Sequence, residues 1–527
     1  MAGGNRVAVI GLGALGIVSL KNCLEEDFDV CGFERNSYSG GLWRYTDEDK
    51  TSVLQSTIVN ISTERGCFTD FPFPKDVPST CAAEEVEKYL ERYVDHFNLR
   101  PHMRFNTNVT RVHHDDSTDK WILEIKGCPD EVFDKVIMAT GTNQTPNYPS
   151  IAGIESFRGE QVHSKSYKRP EKFENKSVLV VGLGNSGADI AVSLIKHATK
   201  IYASHRKGCV ILDASQIPRK KNGKPVDHPL TIRFMSFHAL FDRFFPKLSE
   251  AMLNFFIRKL QDSAFNIRPE WKLSPAPSIR TNFFVVSDEI VPALERGDIE
   301  SVPGIRRIVG PYEVELTDGR VPHVDTIIYC TGYQPSFSLL DPKDDPNKDT
   351  TPEWAKTDGS RGKPLPRLYQ NLLSLKYPQS LAFMGCVVFP SPAFQLYDVA
   401  SMVVTQIWKG NSPLPPQEEM ERAVDKHHAW MVELAKKDTV FAQLVNGHEW
   451  TAWANEMAGT GINEYLGWGW KGWKFWLQEP RFCNLLMTGV YSPHVFRYFE
   501  GKRKRWDGAK AAIERLNESQ TGKLKTV

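Results

Sequence analysis

A short apolar run, Val7-Ala8-Val9-Ile10, leads without interruption into Gly11-Leu12-Gly13-Ala14-Leu15-Gly16, and a second apolar run, Phe28 to Phe33, ends on Glu34. Few folds accommodate this order. The first run reads as a buried parallel strand, the glycines open a helix that runs through Leu20, and an acid closing the next strand stands where a βαβ dinucleotide-binding unit holds a ribose hydroxyl. Gly11 is expected to make the tight turn. Gly13 would let a pyrophosphate approach the positive end of the helix, and Gly16 would let that helix pack close to the strand. A GxGxxG alone is weak evidence. Strand, glycines, helix, strand and acid in sequence outweigh the plainer alternative of a ligand-free glycine turn.

The pattern recurs. Val178 to Val181 reads as a strand, Gly182-Leu183-Gly184-Asn185-Ser186-Gly187 as the loop, and Ala188 to Ile195 as the helix, which carries Asp189. The following strand, Ile201 to Ala203, ends in Ser204-His205-Arg206-Lys207 and not in an acid. Arginine and lysine at that position suit a 2′-phosphate, so the second nucleotide is expected to be NADPH and not NADH, a solvated basic turn being the alternative. Two such units imply two dinucleotides. Strand Phe133 to Met138 runs into Ala139-Thr140-Gly141, and Val324 to Tyr329 runs into Cys330-Thr331-Gly332. This echo implies that the chain returns to its first domain. The expected fold is α/β, with two nested Rossmann-like dinucleotide-binding domains: residues 1–165, then 166–330 with a helical insertion at about 208–277, then 331–527 completing the first domain with helices.

Between these landmarks, Gly40-Gly41-Leu42-Trp43-Arg44 offers a flexible turn into an aromatic that could lie against a flat cofactor or pack in the core. Asn60 precedes Cys67-Phe68-Thr69-Asp70-Phe71-Pro72-Phe73-Pro74, whose prolines forbid a regular helix and favour a rigid extended loop. Ala82 to Phe97 has apolar residues at helical spacing, and antiparallel strands are expected between Thr107 and Lys126. The insertion crowds Phe234, Phe237, Phe241, Phe244, Phe245, Phe255 and Phe256 among Arg233, Arg243, Lys247, Arg258 and Lys259. Helices packed on the domain core are the plain expectation; a membrane-surface patch and a lid over a substrate tunnel are the others. The tryptophans at 450, 453, 468, 470, 473 and 476 are likewise expected to pack on the first domain, with a homodimer or membrane face as alternatives. The last twenty residues are polar and expected to fray.

A net charge of +1 argues against electrostatic nucleic-acid binding. The nine cysteines never form CxxC, which suggests neither a metal site nor a redox disulfide, and reduced thiols fit an intracellular protein. There is no signal peptide and no run of eighteen apolar residues, so the expected location is the cytoplasm or a membrane surface.

Phe157 to Tyr167 fits FxGxxxHxxxY, and this fingerprint between two GxGxxG loops resembles the flavin-containing monooxygenases. Gly40 to Arg44, the Asn60 to Pro74 loop and the SxR at Ser204 and Arg206 are similar to that family too, and the likeness covers nearly the whole chain. The long aromatic insertion resembles eukaryotic members. The hydrophobic carboxyl-terminal anchor of the mammalian microsomal enzymes has no counterpart around Glu518 to Val527, which argues against a tail-anchored topology. The resemblance implies FAD in the first unit and NADPH in the second, with O2 as co-substrate. Hydride from NADPH would reduce the flavin, O2 would add at its C4a position, and one oxygen would pass to a soft amine nitrogen or sulfur. The absence of CxxC agrees, since electrons cannot leave through a disulfide. By the same resemblance Gly11 to Gly16, Glu34, Gly41, Leu42 and Trp43 bind FAD, and Gly182, Gly184, Asn185, Ser186, Gly187, Asp189, Ser204 and Arg206 bind NADPH. Asn60 would touch flavin and nicotinamide as the catalytic amide, whereas His163 and Tyr167 would form a hinge. A Baeyer–Villiger monooxygenase shares the scaffold, but those enzymes carry Trp and then Pro or Asp where this chain has Tyr167-Lys168. A non-catalytic FAD-binding protein and a plain NADPH oxidase are the remaining alternatives.

Overall fold

The computed structural model describes residues 6–213, 220–221, 224–225 and 227–521. Residues 214–219, 222–223 and 226 of the expected insertion, and 522–527 of the polar end, lie outside the described residues. Strand β1 (Arg6–Ile10) lies between β2 (Asp29–Phe33) and strand Lys135–Met138, all parallel, with Val9 opposite Gly32 and Ile137. Helix α1 (Ala14–Glu25) crosses from β1 to β2 and runs past Leu20 to the end of its apolar face. The same seven-stranded sheet takes in Leu368–Tyr369, Leu373–Ser374 and Leu381–Phe383 from far along the chain. Helix Ala393–Trp408, buried over nearly its whole length, packs on α1. Helix α2 (Ala83–His96) buries Val86, Tyr89, Leu90 and Tyr93 in the same core.

The second sheet is built from residues between those two contributions. Strand Ser177–Val181 is its centre, flanked by Lys200–His205 and Thr326–Tyr329, with Glu300–Pro303 and Glu160–His163 at the edges and every pairing parallel. Helix α3 (Asn185–Ser193) follows its glycine loop. After Thr326–Tyr329, Tyr333–Gln334 pairs with Thr145–Pro146 and the chain rejoins the first sheet. This is the nested α/β arrangement that the two glycine loops and the echo of Thr140-Gly141 in Thr331-Gly332 implied.

Four local expectations need correction. Phe133 to Met138 is not one strand: Asp134 breaks it, because its carboxylate and backbone N–H are both taken by the Arg6 backbone. Phe133 instead ends the short antiparallel sheet of Val109–Asp115, Lys120–Ile125 and Glu131–Phe133. Strand Ile201 to Ala203 extends through His205, so Ser204 is a strand residue. The polar end is not frayed up to Thr521: Ala509–Thr521 is a helix packed on Pro493–Arg497, with Ala509 and Ile513 buried.

The fourth concerns the aromatic segments. Helices α4 (Ile232–Phe244) and α5 (Pro246–Ala264) do not sink their aromatic faces into the core. Phe237 is 61% exposed, Phe244 66% and Phe255 61%. The tryptophans divide: Trp450 is buried and Trp453 packs beside it, whereas Trp468 is 84% exposed and Trp470, Trp473 and Trp476 also face outward. Among the described residues no helix is long and apolar enough to cross a membrane.

Candidate active site

Both glycine loops leave a helix N-terminus without a side-chain cap. Gly13 precedes α1 and Gly184 precedes α3, neither helix has a capping side-chain bond, and neither has an acid in its first turn. Orphaned N–H groups and the positive end of the dipole are therefore left for an anion from outside. The glycines differ in what constrains them. A Cβ on Gly16 would lie 1.8 Å from the Gly11 carbonyl oxygen, and one on Gly187 would lie 1.9 Å from that of Gly182. Those two are fixed by their own loops more than by helix-to-strand packing. Gly13 would place a Cβ no closer than 3.6 Å to the Gly41 backbone, and Gly184 would meet nothing within 4 Å. The protein itself has room for a side chain at both, so the space kept at these positions fits a pyrophosphate.

Around the first loop, Gly11 N–H donates to Phe33 O at 2.8 Å, and Glu34 Oε2 accepts from Leu12 N–H at 2.9 Å. The Glu34 carboxylate is buried with one edge against the loop. Ala14 and Leu15 form the buried first turn of α1. Gly40 N–H donates to Leu12 O, so the segment Gly40 to Trp43 lies across the loop, and a Cβ on Gly41 would meet Gly13 Cα at 2.9 Å. Leu42 O accepts from Val53 N–H, and Trp43 is half-buried with its ring edge-on to Phe394.

Around the second loop the contacts repeat, Gly182 N–H donating to Ser204 O at 2.8 Å. The Ser204 hydroxyl is buried and donates to Pro303 O, so of Ser204 and Arg206 only the exposed Arg206 keeps an uncommitted side chain. Asn185 Oδ1 accepts from Val286 N–H at 2.8 Å, while Ser186 is exposed. Asp189 is reached by solvent yet has protein packed closely around it, and that partial desolvation raises its carboxyl to about 6.

Asn60 is exposed, and its amide has no hydrogen-bond partner among the described residues. Its loop is held firmly on both sides. Val59 N–H donates to Cys81 O, and Ser62 donates through N–H and hydroxyl to Asp227 Oδ2 at 3.2 and 2.7 Å. Farther along, Thr69 N–H and hydroxyl donate to Asp398 Oδ2 at 2.9 and 2.7 Å, and Asp70 pairs with Lys21 of α1. Arg497, buried among Glu25, Asp70 and Asp398, donates to Asn22 Oδ1 at 2.6 Å and to Thr69 Oγ1 at 3.1 Å. Burial opposes the charge on Asp70, but Lys21 and Arg497 outweigh it and hold the carboxyl below its usual range. At Asp398 burial prevails over Arg497 and the carboxyl is raised. The loop bearing Asn60 is thus tied to the helix that starts at the first glycine loop. Asp227, Asp398 and Arg497 were not found from the sequence, because no spacing signal links residues so far apart.

His163 Nε2–H donates to Gly332 O at 3.1 Å and Nδ1 accepts from Lys165 N–H at 3.1 Å; burial, the largest influence, lowers its pKa. Both ring nitrogens are committed in the neutral form, which suits a hinge and not a proton shuttle. Tyr167 is buried, its hydroxyl 2.6 Å from Ser193 Oγ. Just after it, Arg169 makes a forked pair with Asp47 at 2.8 and 2.6 Å, and Lys168 Nζ donates to Lys50 O and Ser52 Oγ. The segment after Trp43 is thereby fastened to the start of the second domain.

The flavin-binding monooxygenase-like family model matches residues 4–527. The chain belongs to that family. It is 44% identical over 98% of both chains to a protein of Gibberella zeae named monooxygenase aurF. It is 30% identical to human dimethylaniline monooxygenase [N-oxide-forming] 4, over 96% of this chain and 87% of the relative. Among solved structures it is similar to S-allyl-L-cysteine S-oxygenase from Allium sativum, at TM-score 0.60 and 20% identity over 98% of both chains. It is also similar to cyclohexanone monooxygenase with bound cyclohexanone, at TM-score 0.61 and 17% identity over 86% of this chain and 97% of that one. Family membership makes the protein an NADPH-dependent flavoprotein monooxygenase that uses FAD, with O2 as co-substrate.

Proposed function

We propose that this monooxygenase transfers one oxygen atom from O2 to the nitrogen or sulfur of a small soft nucleophile. The observation that carries the reading is the uncommitted amide of Asn60, exposed on a loop locked to α1 and to Asp227. Bound FAD supplies the oxygen-activating chemistry. The chain binds the two nucleotides at the uncapped ends of α1 and α3, Glu34 and Arg206 holding their respective riboses. Asn60 orients the substrate and donates a hydrogen bond to the oxygen being transferred, and the surrounding loops keep water away. The relative named N-oxide-forming supports nitrogen as an acceptor. Tyr167-Lys168 in place of Trp and then Pro or Asp weighs against a Baeyer–Villiger reaction. Product analysis with a thioether, a tertiary amine and a cyclic ketone tests the choice: sulfoxide and N-oxide without lactone support it, and lactone as the main product overturns it.

The outward-facing aromatics favour a second property, peripheral contact with an anionic lipid surface. Helix α4 packs on Pro480–Thr488, which packs on Trp470–Gln478, so Phe237, Phe244, Trp470 and Trp473 belong to one run of adjoining helices. Exposed Arg233, Arg243, Lys247, Arg258, Lys471 and Lys474 flank them, a charge distribution complementary to acidic headgroups. Flotation with phosphatidylserine-containing vesicles is the test. Loss of flotation in Phe237→Ser/Trp473→Ser supports this face, and a protein that ignores lipid refutes it.

A further inference from the structure

Three basic side chains lie near the second glycine loop without an acid among them. Arg206 leaves the end of strand Lys200–His205 and makes no ion pair or hydrogen bond with the described residues. Its neighbour Lys207 pairs with Asp438 at 2.7 Å, and the next residue, Thr439, accepts hydrogen bonds through Oγ1 from Arg361 Nε and Nη2 at 3.0 and 2.8 Å. The stretch Asp438-Thr439 is therefore a bracket that holds Arg361 beside the Arg206-Lys207 turn. Arg361 has φ 55°, a left-handed conformation that arginine rarely adopts, and Gly362 continues it at φ 69°. This turn carries Lys363. A Cβ on Gly332 would lie 3.8 Å from Lys363 Nζ, and Gly332 follows Cys330, whose carbonyl oxygen bears on Gly182 of the second glycine loop. None of Arg206, Arg361 and Lys363 has an acid within ion-pair reach among the described residues. Burial and then the charge of Arg361 work against the positive charge on both Arg206 and Lys363.

Like charges held close together without a counterion, two of them half-buried and Arg206 at the exposed mouth, are unfavourable until an anion joins them. We propose that Arg361 and Lys363, which come from the segment returning to the first domain, complete the NADPH site. Arg361 joins Arg206 on the 2′-phosphate, and Lys363 reaches the pyrophosphate at the uncapped end of α3. The inference rests on the second loop being the NADPH site and adds that the nucleotide is clamped by both domains. The strained turn at Arg361 and Gly362 is what aims the two cations from one domain at a ligand on the other.

The test uses the FAD-loaded protein and reads binding, not turnover. Calorimetric titration with NADP⁺, NAD⁺ and 2′,5′-ADP is made on wild type, Arg206→Ala, Arg361→Asn and Lys363→Met, asparagine being chosen because it tolerates the left-handed turn. Arg361→Asn is expected to weaken NADP⁺ and 2′,5′-ADP by about 10- to 100-fold and NAD⁺ by less than about threefold. Lys363→Met is expected to weaken NADP⁺ and NAD⁺ alike. Wild-type affinity for NADP⁺ in Arg361→Asn, with Arg206→Ala weakened, overturns the proposal and leaves the location of the NADPH site intact. If Arg206→Ala also binds as wild type, the location itself falls. An independent measurement needs no variant: phenylglyoxal labelling of the wild-type protein, mapped by peptide mass spectrometry. Protection of Arg206 and Arg361 together by 2′,5′-ADP supports the clamp; protection of Arg206 alone overturns it.

Discussion

Replacing Gly13 by valine is expected to yield a folded, colourless protein. Gly13 has φ −73°, ordinary for any residue, and an added Cβ would meet nothing closer than 3.6 Å, so the backbone and its neighbours tolerate the change. The side chain would instead fill the space over the uncapped end of α1. If it displaces the pyrophosphate from two backbone N–H groups, each charge-assisted bond being worth about 1.5–3 kcal/mol, the loss is about 3–6 kcal/mol, roughly 10²- to 10⁴-fold in affinity for FAD. Ligand linkage adds a second readout. With FAD at about 1,000 times its Kd the wild-type holoprotein gains about 4 kcal/mol of stability, which Gly13→Val should lack while melting with the wild-type apoprotein. Visible flavin absorbance after purification and thermal unfolding of both apo forms make the comparison. Gly16→Ala is the contrast: its Cβ would lie 1.8 Å from the Gly11 carbonyl oxygen, so it should impair the fold itself. A fully yellow Gly13→Val would refute the argument, as would one that is colourless only because its apo form is unfolded.

Three other outcomes follow from the geometry. Asp189 has a folded-state pKa of about 6 against 3.8 for the ordinary carboxyl, so its contribution to stability is fully present below about pH 4 and is lost as pH rises through about 6. Asp189→Asn should therefore be more stable than wild type above pH 6, by about 1 kcal/mol once solvent screening of this exposed group is allowed for, and no more stable near pH 4; a pH-independent difference in urea midpoints would contradict this. Arg497→Met leaves Lys21 alone to balance the buried carboxylates of Asp70, Glu25 and Asp398 and should cost about 3–5 kcal/mol in chemical denaturation, whereas a near-neutral result would show that this network does not hold the loop. Asn60→Asp replaces a donor by an acceptor; it should keep FAD, consume NADPH, and lose product on the order of 10²-fold with hydrogen peroxide in its place, so unchanged product per NADPH would reduce Asn60 to a turn former.

Both glycine loops were legible because their information is local: strand, glycines and helix follow one another, and the carbonyls of Gly11 and Gly182 exclude side chains at Gly16 and Gly187 within six residues. The nesting was legible from the echo of Thr140-Gly141 in Thr331-Gly332. What hydropathy could not reveal was the fate of α4, α5 and the late tryptophans, since an apolar face shows what can be buried and not whether the fold supplies a partner. The break at Asp134 depends on Arg6, and the anchoring of the Asn60 loop depends on Asp227, Asp398 and Arg497. Such pairings have no period in the chain. Ser204 was placed in the turn because the strand was ended too early, and its hydroxyl proves to be engaged by Pro303.

The most direct measurement is the fate of isotopically labelled dioxygen during NADPH-driven turnover of a thioether and a tertiary amine. The account predicts sulfoxide and N-oxide each carrying one labelled oxygen atom, formed in near-equal amount to NADPH consumed. Flavin reduction by NADPH followed by labelled hydrogen peroxide alone, or by a labelled lactone from a ketone with the thioether and amine untouched, would contradict it.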